Sequence, residues 1–232
     1  MATGVLPSIC HVSTYHLICG IDPGLASGGL VVINAADGNR VLTSLSLVEK
    51  SGAAKKARSE AEEIASSVGG WGDMQFSAAA LRSERWCAAV REALSEITDE
   101  YGPIAFFAVE SFVDQPSRAR KEKAGLLRNR WQTPLSIGGL AEVLREHGAE
   151  VSNGRVVYQN AGIVIPQWAT QLAQLETRTR GEDAGVVPDD RLVGNDHERK
   201  ALVHALALAL RISNGNSTDG KDNTPTFEGR HA

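Results

Sequence analysis

Three things are scarce in this 232-residue chain, and each scarcity removes a class of protein. Long apolar runs are missing: none approaches the roughly 20 residues that span a bilayer, so a membrane role is not expected. Cysteines are few. Cys10, Cys19 and Cys87 form no CxxC pair, which speaks against a disulfide framework and against a zinc site. An excess of basic charge is also missing. The net charge is −4, a mild argument against a nucleic-acid partner, though the distribution of charge matters more than its sum. The first residues, MATGVLPSICHVS, lack the charged start and apolar middle of a leader peptide. The chain is expected in the cytoplasm.

What is present reads as one α/β domain. A hydrophobic share of 42% is ordinary for a globular protein. After a loose terminus over residues 1–14, Tyr15 to Asp22, Gly28 to Asn34 and Val41 to Val48 read as strands, with Asp37-Gly38 as a hairpin turn. Residues 49–77 look like an insertion, part helical and mobile, with Ser77 as the N-cap of the next helix. Trp86, Val90, Leu94, Ile97 and Tyr101 recur at helical spacing, so 78–101 is predicted as a helix. Ile104 to Phe112 is a buried strand, 133–147 a helix, and Arg155 to Ala161 another strand. A long connection over 162–195, with room for a short helix, leads to a helix from Asn195-Asp196 to about Ile212. The tail 213–232 is rich in polar and turn-forming residues and reads as disordered. A three-strand meander followed by alternating helices and strands predicts a mixed sheet flanked by helices, in the order of an RNase H-like fold. The domain is placed at 15–212.

Three acidic positions stand out. Asp22 ends an apolar strand beside Pro23-Gly24, where a ligand can approach closely; an ordinary turn would also account for it. Glu110 interrupts the apolar strand IAFFAVESF, a costly place for a charge unless it is paired or binds metal. Asp196, His197 and Glu198 crowd the start of the last helix, where acids also serve as caps. Together, two strand acids and one helix acid can converge at one end of the sheet. Such carboxylates suit magnesium, with manganese as an alternative, and two ions would activate water and stabilise the leaving oxygen of a phosphodiester. A basic run follows Glu110: Arg118, Arg120, Lys121, Lys123, Arg128 and Arg130. It can bind phosphates of a nucleic acid or form a solvated face.

GIDPGLASGG resembles the opening motif of the RuvC family, AVESF its second motif, and DHERKALVHALALAL its third. Over roughly residues 15–212 the chain looks most like RuvC-like Holliday-junction resolvases of phages, particularly those of actinobacterial hosts. The resemblance implies a crossover junction endodeoxyribonuclease acting on four-way DNA junctions in recombination and repair. It also implies a homodimer, working in a bacterial or phage-infected cytoplasm. Asp22 and Glu110 are implied as metal ligands, with Asp196 and His197 completing a catalytic set of four. Lys200 departs from the family, which usually offers an Asp there; a charged lysine cannot ligate magnesium. It leaves open a DNA-binding protein of the same fold without catalysis, and the fold also serves ribonucleases of structured or hybrid RNA. His204, in an apolar stretch, reads as a packed core residue.

Overall fold

The computed structural model describes residues 17–70, 74–111, 132–160, 162–163 and 165–216. Five strands form one sheet: β1 (Leu17–Asp22), β2 (Ser27–Asn34), β3 (Arg40–Val48), β4 (Phe106–Ser111) and β5 (Val156–Asn160). Their spatial order is β3-β2-β1-β4-β5. The first three pair antiparallel as a meander, and β1, β4 and β5 run parallel. This is the mixed sheet of an RNase H-like fold. The β2–β3 hairpin turns through Gly38 and Asn39, both with positive φ, beside the Asp37-Gly38 signal in the sequence.

Among the described residues five helices accompany the sheet: α1 (Ala53–Ser67), α2 (Met74–Tyr101), α3 (Gln132–Glu146), α4 (Ala169–Thr177) and α5 (Asp196–Asn216). Because both faces of the sheet are covered, β1 is buried along its whole length and reads as a continuous apolar run. One face, with Cys19, Ile21, Val32, Phe107 and Val109, packs against α2 and α3 through Val90, Leu94, Leu140 and Leu144. The other, with Ile18, Val31, Ile33 and Ala108, packs against α5 through Ala201, Leu202, Ala205 and Leu206.

The helices expected within 49–77 and 162–195 are present, and two other expectations change. Residues 49–77 contain a helix of 15 residues that buries Ala57 and Ala61. A two-point Arg82–Glu49 pair at 2.6 and 2.7 Å and an Arg85–Glu60 pair tie this segment to α2. Ser77 lies inside α2 rather than capping it, because the helix starts at Met74. The long connection 162–195 holds α4 and two short 3-10 turns, Pro166–Trp168 and Asp190–Leu192. The last helix continues to Asn216, so residues 213–216 are not part of a tail. The terminus 1–14, the tail from 217 and the basic run lie outside the described residues.

Candidate active site

Strand register builds the site. Gly20 pairs with Ala108 and Ile21 with Val109, which brings Asp22 beside Glu110 at the ends of two adjacent parallel strands. Glu110 in turn pairs with Gln159 on β5. On the other side Asp22 pairs with Gly29. Residues aligned across a sheet share a face, so Gly29, Asp22, Glu110 and Gln159 form one row beneath the start of α5.

Two glycines allow α5 to lie that close. A Cβ at Gly20 would overlap the Ala201 carbonyl, and one at Gly29 would overlap the backbone of His197. With the helix seated on them, His197, Lys200 and His204 stand over the acid row. His197 Nδ1 lies 2.7 Å from Asp22 Oδ2, and its Nε2 lies 2.5 Å from Ser27 Oγ. Lys200 Nζ lies 3.9 Å from the same Asp22 oxygen. His204 Nε2 lies 3.4 Å from Glu110 Oε2, and its Nδ1 lies 2.9 Å from Gln159 Oε1. The Gln159 amide nitrogen has no hydrogen-bond partner among the described residues. Turning that amide over would let its nitrogen donate to His204 Nδ1 and leave the Nε2–H to donate to Glu110.

The two carboxyls titrate as a pair. Burial, then the neighbouring Glu110 charge, pushes Asp22 up to about 6, against the pull of Lys200 and His197. Burial also pushes Glu110 up, but the His204 hydrogen bond, the Lys200 and His204 charges and a hydrogen bond from Asp22 outweigh it, so Glu110 falls below its ordinary value. Environments that part the pKa values of two neighbouring acids are common where one group handles protons and the other stays charged.

Of the four candidate catalytic residues, the structure brings Asp22, Glu110 and His197 together and leaves Asp196 out. The Asp196 side chain is 76% exposed and pairs with Arg199. At about 100° of rotation per helical residue, it lies about 200° round the helix from the buried Glu198, so it faces away from the sheet. Glu198 is not free either. It is fully buried, accepts hydrogen bonds from Ser44 Oγ and the Gly194 amide at 2.8 Å each, and is paired with Arg180. It ties the connection before α5 to the sheet. His204 is buried as the sequence suggests, yet it also touches Glu110. Ser27 and Gln159 escape sequence reasoning altogether, because neither type stands out until the register places it beside an acid. The six basic candidates lie outside the described residues.

Two adjacent carboxylates offer the hard oxygen donors that magnesium or manganese prefers, so Asp22 and Glu110 fit one divalent ion. Donors for a second are short. Among the described residues no group of three or more His, Cys, Asp or Glu side chains stands together as a metal cage. Both His197 ring nitrogens are already engaged.

No helix among the described residues is long and apolar enough to cross a membrane. No protein-family model matches the chain, and no curated protein matches it. Among solved structures the chain is similar to Thermus thermophilus RuvC in complex with Holliday junction substrate. The identity is 15%, over 86% of this chain and 96% of that chain, with a TM-score of 0.46. It is similar to a second Thermus thermophilus RuvC structure at 15% identity and a TM-score of 0.44, with the same coverage.

Proposed function

We propose that this chain is a metal-dependent endonuclease that cuts branched DNA, the four-way junction above all, and that it works as a homodimer. One observation carries the catalytic part. The three sequence motifs that resemble RuvC resolvases supply Asp22, Glu110 and the His197–Lys200 face, and these meet in one cluster at the end of the sheet. The dimer follows from the substrate, since a four-way junction has two symmetric strands to cut and two-fold pairing is the commonest protein symmetry.

In this reading Asp22 and Glu110 present oxygens to a divalent ion, which when bound supplies the positive charge that activates water and offsets charge at phosphorus. His197 is held between Asp22 and Ser27, where its ring can hold or pass a proton at Nδ1. His204 and Gln159 fix the direction of the Glu110 carboxylate from behind. Lys200, half-exposed at the rim, donates to a phosphate oxygen as a point charge. The basic run from Arg118 to Arg130 holds the flanking backbone.

Lys200 also supports a second reading, a junction-binding protein that has lost catalysis; a ribonuclease is the third. Incubation with magnesium and labelled four-way junction, flap, duplex and RNA–DNA hybrid separates them. Nicks confined to the junction and flap fit the proposal. Binding without nicks favours the second reading, and nicks in the hybrid alone favour the third.

A further inference from the structure

We propose that the Lys200 ammonium is the site's own second cation, so that each chain takes one divalent ion, at Asp22 and Glu110, instead of two. This rests on the metal-dependent reading above and adds the number of ions and the residue that sets it.

Position comes first. Lys200 Nζ is 3.9 Å from Asp22 Oδ2, and its charge acts on Asp22 and Glu110 alike. In two-ion nucleases the cations lie about 3.5–4 Å apart across a shared acid. An ammonium 3.9 Å from the Asp22 carboxylate is close enough to repel a second ion bound to that carboxylate. The position is built into the fold. Lys200 directly precedes Ala201, whose carbonyl is pressed against Gly20, so the base of the side chain cannot drift from the acid pair.

The nearby acids are committed elsewhere. Asp196 is turned out to Arg199. Glu198 is enclosed by Arg180, Ser44, Asn195 and the Gly194 amide. Neither could reach a second ion without breaking those interactions. With one divalent ion the two carboxylates and the ammonium already sum to +1, so a second divalent ion would bring the site to +3 and be repelled. A lysine supplies charge but no open coordination position. Water activation then belongs to the single ion, and Lys200 neutralises a phosphate oxygen.

The test counts ions on the DNA-free protein by manganese titration, with free Mn2+ read by electron paramagnetic resonance. The wild-type chain should bind one Mn2+. Lys200→Asp should bind two and show the spin coupling of a paired site, and Lys200→Arg should still bind one. Lys200→Asn removes the charge without adding an acid. It should bind one Mn2+ roughly tenfold tighter, the order expected from removing a unit charge about 4 Å away, which covers the case of Lys200→Asp failing to fold. Two ions on the wild type, no ion on the wild type, or a folded Lys200→Asp that still binds one would overturn the inference. Because no DNA is present, the count is independent of cleavage. One ion without junction cutting leaves the inference standing and removes the nuclease reading, whereas two ions with cutting does the reverse.

Discussion

Asp22 is a residue whose placement opposes stability. Its folded pKa of about 6 lies above the ordinary 3.8 because it is buried beside another acid. Between those values the folded chain holds a proton that the unfolded chain releases, so the favourable contribution is present at low pH and is lost as pH rises through about 6. At higher pH the charged carboxylate costs on the order of 3 kcal/mol, at about 1.4 kcal/mol per pKa unit. Asp22→Asn should therefore melt higher than wild type at pH 8 in a chelator, with the advantage gone near pH 4. A variant that melts lower at pH 8 would mean that Lys200 and His197 more than compensate the charge. Asp196 makes the opposite case. Turned outward to Arg199, it should be dispensable, and Asp196→Ala should cut within about threefold of wild type; surface changes of this kind cost about 0.5 kcal/mol or less. A loss of a hundredfold or more in a cleavage assay would return Asp196 to the site. The difference between these residues shows where the sequence stops being informative. An acid inside an apolar strand is conspicuous, so Asp22 and Glu110 were legible. Three polar residues in one helical turn are not separable by pattern, because which faces inward depends on how the helix is rotated about its axis. His204 was hidden for a related reason: an apolar stretch suggests core, and only the register of β4 and β5 reveals Glu110 and Gln159 beneath it.

At the scale of elements, the site depends on how closely α5 approaches β1 and β2. Gly20→Ala and Gly29→Ala would each drive a Cβ into the α5 backbone. Overpacking of this kind costs about 1–3 kcal/mol, and it would lift His197 and Lys200 away from Asp22. Both variants should lose stability and activity together. Gly138→Ala, in α3 with open space around it, should be neutral or stabilising by up to about 1 kcal/mol. Equal melting temperatures for all three would show that the helix can shift without strain. The basic run that follows Glu110 in the sequence carries a prediction of its own. Replacing Arg118, Arg120, Lys121 and Lys123 together should flatten the salt dependence of junction binding, by about 0.9 in slope for every phosphate left without its cation. An unchanged slope would make the run a solvated face. The element order was readable because strands, turns and the α2 periodicity each carry a local signal. The helix over 53–67 was less so, since its buried face is two alanines and gives little apolar contrast.

At the scale of the whole molecule, a mixed sheet brings two acids to the ends of adjacent parallel strands, and α5 lays a histidine and a lysine over them, the cluster proposed here to cut branched DNA. The meander-then-alternation order was visible in the sequence. Convergence of the strand acids with the last helix was also visible, but which helix residues face them was not, since residues 22, 110, 197 and 200 meet only once the strand order β2-β1-β4 is set. The most direct test is strand cleavage of a labelled four-way junction in magnesium, with wild type, Asp22→Asn and Glu110→Gln compared at equal junction occupancy. Wild type should give paired nicks in opposing strands. Each variant should bind the junction but lose at least a hundredfold in rate, the scale of removing one preorganised electrostatic group, about 3 kcal/mol. No nicks from wild type, or nicks that survive either substitution at full rate, would contradict a metal-dependent junction nuclease built on these two acids.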